Sequence, residues 1–314
     1  MKKLFESFID DCVILEPRVY KNLRIIPFIH TGNILLDYIS LDTAIDQKKM
    51  IIEEISKGGS VPEIQVTNKA DKYVLIIDGE ELIGAKQNRV MNTSVLIAAN
   101  TISRIPVSCV EQGRWEYKSK RFTKSDYIMT NKARMKKRIS VNQNLRRSQR
   151  PNFRSDQNQV WNEVNEFSRK AMVDSDTMAM NDVYEGRKIQ QEEYLKNIKI
   201  DETVNGVIVM INGNIAGMEY ISKPDEFRKI LPKLIRSYAI DASLNYKETK
   251  ENNYSKKLKR FFERLNQSKE SRVKSVNAGE DVTIEGMGIS GAALVHDDNI
   301  IHFMAYDEEV VENL

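Results

Sequence analysis

Between Asp78 and Trp115 the chain concentrates side chains that can do chemistry. Glu80 and Glu81 follow an Asp78-Gly79 turn. Lys86-Gln87-Asn88-Arg89 and Asn92 come next, then Cys109-Val110-Glu111-Gln112-Gly113-Arg114-Trp115. Gln and Asn offer both donors and acceptors, and arginine's fork matches carboxylate or phosphate. Trp115 can stack on a ring or a guanidinium. The ligand-binding candidates are therefore Lys86, Gln87, Asn88, Arg89, Asn92, Arg114 and Trp115. In that set Arg89 and Arg114 hold phosphate or carboxylate, and Gln87, Asn88 and Asn92 read a base or ribose edge.

Two carboxylates could activate water or transfer a proton if burial raised the pKa of one. The catalytic candidates are Glu81 and Glu111. Glu80 and Glu81 are adjacent, so on a strand they face opposite sides and at most one enters a site with Glu111. The competing reading is a turn carboxylate plus a Glu111–Arg114 ion pair. For acid–base chemistry the residue pattern favours that ion pair, and for the cluster as a whole it favours ligand contact.

Other chemistry-bearing residues point less far. Cys109 lies in an apolar strand with no histidine nearby in sequence, which reads as an inert small hydrophobe. Cys12 reads as core. His296 and His302 flank a turn at Asp297-Asp298-Asn299 without a ligand-spaced motif. No metal is assigned, and His302 is expected as a core or site-wall residue. Gly286-Met287-Gly288-Ile289-Ser290-Gly291 loosely matches a dinucleotide fingerprint, but β-rich sequence follows it where a helix is required. Ser237 and Asp241 share one helix face. No cofactor follows from these residues.

The elements that must position the cluster read as follows. Leu23 to Ile29 is a buried strand. Leu41 to Lys57 has helical spacing and stops at Gly58-Gly59. Glu63 to Thr67, Tyr73 to Ile77, Ser94 to Ala98 and Ile105 to Val110 are short strands, close enough for antiparallel pairing. Ser155 or Asp156 caps a helix with Val160, Trp161, Val164, Phe167 and Ala171 on one face. Ser175 or Asp176 caps a second helix that runs to about Lys199. Val207 to Ile211 and Ile215 to Tyr220 flank Asn212-Gly213-Asn214, a hairpin signal. Pro224 opens a helix, with a kink or a new start at Pro232. Tyr254 to Asn266 is amphipathic and basic outside. Val282 to Tyr306 forms strands that return to pair with the hairpin.

Strands and helices do not alternate regularly, so the fold class is α+β: an antiparallel β-rich core, a helical middle segment, and a returning C-terminal hairpin and strands. Three parts follow, forming one composite domain. Residues 1–117 are β-rich and carry the motif, 118–154 are a basic loop or excursion, and 155–314 hold the helices, hairpin and last strands.

The 314 residues are 41% hydrophobic and 30% charged, a globular balance that argues against global disorder. The net charge of +3 hides an asymmetry. Thirteen basic residues and one acid, Asp126, lie between Lys118 and Arg154, so the remainder of the chain is net acidic. That segment is a candidate nucleic-acid surface. The apolar runs are too short to span a bilayer, and Glu6, Asp10 and Asp11 interrupt any leader-like stretch. With two cysteines there is no disulfide framework, and a cytoplasmic location is expected.

The motif resembles the ARG-and-Rhodanese-Phosphatase-superfamily-associated protein domain family. The resemblance rests on Gly79-Glu80-Glu81-Leu82-x-Gly84, on Lys86-Gln87-Asn88-Arg89 with Asn92, and on Cys109-x-Glu111-x-Gly113-Arg114-Trp115. Ser155-Asp156-Gln157 with Val160-Trp161, the Asn212-Gly213 hairpin and Ser237-Tyr238-Ala239 extend it, so it covers the chain from about Ile25 onward. It implies association with NAD-derived or ADP-ribose chemistry and supplies no mechanism. The resulting expectation is an intracellular protein with a polar ligand site, a hydrolase or binding protein acting on a nucleotide or NAD/ADP-ribose-derived molecule. The alternatives are nucleic-acid binding through 118–154 and a non-catalytic interaction module whose motif is a buried network.

Overall fold

The computed structural model describes residues 4–32, 36–56, 58–248 and 253–314. Its elements in chain order are α1 (Leu4–Asp10), β1 (Cys12–Ile14), β2 (Arg18–Tyr20), β3 (Leu23–His30), β4 (Tyr38–Ser40), α2 (Leu41–Asp46), β5 (Met50–Glu53), β6 (Glu63–Asn68), β7 (Tyr73–Ile76) and β8 (Glu80–Gly84). There follow β9 (Arg89–Met91), β10 (Val95–Ile97), β11 (Ile102–Cys109), β12 (Phe122–Ile128), α3 (Asn131–Arg147), α4 (Gln157–Ala171), α5 (Met180–Gly186) and α6 (Lys188–Asn197). The chain ends with β13 (Gly206–Ile211), β14 (Asn214–Ile221), α7 (Pro224–Leu244), α8 (Tyr254–Gln267), β15 (Lys269–Lys274), β16 (Glu280–Gly286), β17 (Ile289–His296), β18 (Asn299–Asp307) and α9 (Glu308–Glu312). The sheets are mostly antiparallel and the fold is α+β, although β4 and β7 pair in parallel. Two compact units emerge, interleaved in sequence. The first takes Met1–Leu35, Ile189–Arg272 and Asp281–Leu314, and the second takes Leu36–Lys188 and Val273–Glu280.

The first unit is built on a nine-stranded sheet among the described residues, ordered β1-β3-β13-β14-β18-β17-β16-β15, with β2 added to β3. Asn212 and Gly213 both take positive φ, 50° and 77°, as a tight hairpin turn requires. The last strand β18 returns to β14, as the sequence predicts. One sheet face, including Ile26, Phe28, Ile208, Met218 and Phe303, packs with Phe5, Phe8, Leu258, Phe261 and Leu265. Leu258, Phe261 and Leu265 recur at helical spacing on α8, which turns its lysines outward. Helix α7 starts at Pro224 and continues through Pro232 as one element. Its buried face of Phe227, Ile230, Leu231, Leu234 and Tyr238 outweighs the single helical hydrogen bond that Pro232 removes.

The second unit has a three-stranded sheet, β10-β7-β4, and a six-stranded sheet, β12-β8-β9-β11-β6-β5. Ile52, Ile64, Val66, Ile76, Leu82, Met91, Ile97 and Val107 from both sheets share one core. Short β9 lies between β8 and the end of β11, and this pairing positions the motif. Arg89 stands opposite Leu82 on one side and Cys109 on the other. Val90 stands opposite Glu81 and Ser108.

Three sequence expectations change. The helix expected over Leu41 to Lys57 covers only Leu41–Asp46, capped by Ser40, and Lys57 lies outside the described residues. Lys48 takes φ 57°, the chain reverses, and Met50–Glu53 becomes β5 beside β6. Met50 and Ile52 point inward at a period of two, which the helical count absorbed. The helix expected from Ser175 or Asp176 starts later, at Met180, and breaks between Gly186 and Lys188. Ser175 instead accepts a hydrogen bond from Ala179 N at 2.9 Å, in the turn before the helix.

The basic stretch 118–154 is not a loop. It holds β12 and the 17-residue helix α3. Its apolar residues are sparse because cations occupy inward positions. Arg134, Lys137 and Arg138 are all buried. Lys137 Nζ donates to Asp78 Oδ1 at 2.9 Å, and Arg134 Nε donates to Asp78 O at 3.0 Å. A Cβ on Gly79, at φ +76°, would lie 2.6 Å from Arg134 Cδ, so this turn needs glycine for both its backbone and its close approach.

Candidate functional site

The motif divides into a saturated part and an unsaturated part, both inside the second unit. The saturated part centres on Glu111, in the loop that follows β11. Its Oε1 accepts from Arg114 Nε at 2.8 Å and Thr177 Oγ1 at 3.0 Å. Its Oε2 accepts from Arg114 Nη2 at 2.6 Å and Asn88 N at 3.0 Å. Arg114 Nη1 donates to the carbonyls of Ala85 and Glu116 at 2.7 and 2.8 Å. Burial pushes the Glu111 carboxyl up, but Arg114, the Asn88 N–H and Thr177 together hold it below the usual carboxylate range. The ion-pair reading of Glu111 and Arg114 is thus realised as a bidentate, fully hydrogen-bonded pair.

Gln87 extends this network. Its Nε2 donates to Glu111 O at 2.9 Å, and its Oε1 accepts from Arg89 Nη1 and Cys109 Sγ, each at 2.8 Å. Gln157, at the start of α4, clamps Cys109 from the other side. It accepts from Cys109 N and donates to Cys109 O, both at 2.8 Å. Burial raises the Cys109 thiol's pKa, the opposite of what a thiolate nucleophile needs.

The unsaturated part begins at Arg89. Its side chain is fully buried, and its guanidinium carbon lies 5.6 Å from the Trp115 ring centre. Nε and Nη2 make no hydrogen bond. Nη2 lies 3.7 Å from Glu54 Oε1, and the Glu54 side chain is 2% exposed. Neither Glu54 oxygen has a hydrogen-bond partner. Glu54 lines an open cleft of about 630 Å³ with Glu53, Ser56, Tyr117, Lys118, Ser119 and Lys120. Trp115 and Tyr117 are 45% and 50% exposed. Lys86 Nζ lies 5.2 Å from both ring centres and donates to Gly58 O at 2.9 Å.

Glu81 is fully buried on β8. Its Oε2 accepts from Ser125 Oγ at 2.6 Å and Asn181 Nδ2 at 3.0 Å, while Oε1 has no partner. Burial raises its pKa to about 7 against those two hydrogen bonds, with Glu111 and Asp182 adding to the rise. Glu80 Oε2 accepts from Ile77 N at 3.3 Å, a turn carboxylate. The two carboxylates that sequence reasoning paired, Glu81 and Glu111, thus sit in environments that move their pKa values apart.

Lys86, Gln87, Asn88, Arg89, Glu111, Arg114 and Trp115 are brought together. Asn92 is tied elsewhere, accepting from Ser108 Oγ at 2.7 Å through its side chain and from Lys137 Nζ at 3.2 Å through its carbonyl. Lys137 is itself pushed down to about 8 by burial, with Asp78 opposing. Sequence reasoning missed Glu54, Tyr117 and Lys118. Glu54 carried no signal inside an apparent helix, whereas the Trp115-x-Tyr117 spacing beside Lys118 was available. His296 pairs with Asp297 at 3.2 Å, and buried His302 lies 3.9 Å from Glu219 in the first unit. Among the described residues, no group of three or more His, Cys, Asp or Glu could hold a metal ion. No described helix is long and apolar enough to cross a membrane.

The model of the ARG and Rhodanese-Phosphatase-superfamily-associated Protein domain matches residues 11–306. The chain belongs to this family. Its match spans both units, so each is part of the family's domain. No curated protein and no solved structure matches the chain significantly.

Proposed function

We propose that the second unit binds a small phosphorylated, nucleotide-like molecule of the NAD- or ADP-ribose-derived kind in the cleft beside Trp115 and Tyr117. The observation that carries this reading is two half-exposed aromatic rings, Trp115 and Tyr117, each 5.2 Å from Lys86 Nζ, of which Tyr117 lines a cleft of about 630 Å³ together with Lys118 and Lys120. A planar base stacks on such rings, and the ammonium groups face phosphate. A pocket of this size suits a mononucleotide or its ribosyl conjugate.

Hydrolysis is a second reading, favoured by Glu81. Its Oε1 lacks a partner and burial raises the carboxyl to about 7, as a general base needs, but Glu81 is fully buried and does not line the cleft, so this reading ranks below ligand binding. Glu111 is the weaker candidate for that step, since four donors already engage its two oxygens. Nucleic-acid binding through 118–154 is less favoured. Arg134, Lys137 and Arg138 are buried there, and Lys124, Lys132 and Lys136 pair with Asp46, Glu166 and Glu163.

The test is a thermal-shift and calorimetric series with ADP-ribose, NAD, AMP, inorganic phosphate and a short RNA. At least one phosphorylated small molecule stabilises the wild type, and Tyr117→Ala, at an exposed ring that lines the cleft, weakens that effect at unchanged ligand-free melting temperature. No shift with any of them at millimolar concentration overturns the proposal. A shift with RNA alone replaces it.

A further inference from the structure

Several cations of 118–154 are buried or paired in the second unit, but a shorter basic stretch of the first unit stays on the surface. Residues 254–272, which form α8 and the first part of β15, hold seven Lys or Arg and two acids, Glu263 and Glu270. Lys256, Lys259 and Arg260 are exposed and stand at i, i+3 and i+4 on α8, so they form one stripe. Lys269 is exposed where β15 begins. Among the described residues, none of these four side chains makes an ion pair or a hydrogen bond.

The rest of the helix fixes that stripe in place. Leu258, Phe261 and Leu265 bury its other face in the core. Lys257 Nζ donates to Gly213 O at 2.9 Å and to Asn214 Oδ1 at 3.0 Å, which ties α8 to the hairpin turn. Arg264 donates to Met287 O at 2.7 Å and Gly288 O at 2.8 Å and pairs with Asp307, which ties α8 to the β16–β17 turn and the end of β18. Two of the helix's cations thus anchor it, and the other three face water.

A fixed row of exposed cations attracts an anionic partner, and the residues around it decide which kind. The other exposed side chains of α8 are Ser255, Glu263 and Gln267, so the stripe has no exposed apolar neighbour on its helix. A helix that lies on a membrane sinks its apolar face into the lipid, and here the core already holds that face. A protein partner wants an apolar patch at the centre of the interface, with charge at the rim. Nucleic-acid interfaces are polar and strongly positive, and their phosphate contacts need no apolar group. Lys256 to Arg260 covers about 6 Å of helix axis, so neighbouring phosphates of one strand come within reach of the stripe. We infer that α8 is a nucleic-acid interface, with Lys256, Lys259, Arg260 and Lys269 holding the phosphodiester backbone without regard to sequence.

The test is a fluorescence-anisotropy titration of a short labelled single-stranded RNA with the full chain, at about 50 and about 200 mM salt. The wild type binds, and four phosphate contacts make its affinity fall about fiftyfold across that range. The triple variant Lys256→Gln, Lys259→Gln, Arg260→Gln binds at least about tenfold more weakly at the lower salt and loses only about threefold across the range, because one contact remains. Its melting temperature is unchanged, since the three side chains are exposed and hold nothing in the fold. Arg147→Gln with Arg150→Gln, at exposed cations of 118–154, leaves the affinity within about twofold. No binding at the lower salt, binding that salt does not weaken, or a triple variant that binds like the wild type overturns the interface. So does loss of RNA binding in the Arg147 and Arg150 variant alone, or tighter binding to phosphatidylserine vesicles than to RNA. The cleft of the second unit is tested with small phosphorylated molecules and Tyr117→Ala, so the two proposals fail separately.

Discussion

Two glutamate–arginine pairs lie buried in the same unit, and they differ in one respect. Glu111 and Arg114 meet at 2.6 and 2.8 Å, and every Glu111 oxygen is engaged. Glu54 and Arg89 stop at 3.7 Å, and four of their polar atoms are unmet. Residue type and burial are nearly the same. What separates them is geometry. The first pair closes the loop after β11 onto the Asn88 turn, and a buried pair so fully bonded acts as architecture. The second carries a desolvation cost that its own hydrogen bonding does not offset.

The largest effect that would sharpen this contrast comes from breaking the saturated pair. Arg114→Ala strands the Glu111 carboxylate and lowers unfolding stability by about 3–5 kcal/mol in urea denaturation. A loss under about 1 kcal/mol would mean that the pair holds nothing together. Next is the pH response of Glu81. Its pKa is raised to about 7 in the fold, so between the ordinary value of 4.5 and 7 the native state binds more protons than the unfolded chain. That contribution is fully present below 4.5 and is lost as pH rises toward 7, at most about 3 kcal/mol. Glu81→Gln flattens this segment of the stability–pH curve, and an unchanged slope in the variant would assign the titration to another group.

Smaller still is Gly79→Ala. The added methyl meets Arg134 at 2.6 Å in a turn at φ +76°, and a stability loss of about 1–3 kcal/mol is expected in the same denaturation assay. Smallest is Glu54→Gln. The exchange breaks no hydrogen bond but removes the countercharge of buried Arg89, and a loss of about 1 kcal/mol, smaller than that of Arg114→Ala, is expected in the same assay. A loss comparable to that of Arg114→Ala would erase the distinction between the two pairs.

Much of the frame was legible from local signals. Asn212-Gly213 encodes its hairpin through positive φ, and Asp156 caps α4 by accepting from Asn158 N and Gln159 N. Leu258, Phe261 and Leu265 encode the buried stripe of α8. The Glu111–Arg114 pairing was readable too, three residues apart in one loop. Elsewhere local signals misled. Ala44, Ile45, Ile51, Ile52 and Ile55 satisfy a helical spacing, yet strand pairing with β6 claims the second half. In α3 the apolar count was low because Asp78, more than fifty residues earlier, neutralises the inward cations.

Turn chemistry, caps and side-chain period act over a few residues, and the sequence by itself determined those: the α+β class, most elements, and the crowding of polar groups between Asp78 and Trp115. Only the tertiary structure decided which of those groups are satisfied. It brought Thr177 to Glu111, Gln157 to Cys109 and Asn181 to Glu81, and it left Glu54 and Arg89 short of contact. Hydrogen bonding is lost within a fraction of an ångström, so whether a buried charge is structure or site depends on partners that lie far away along the chain.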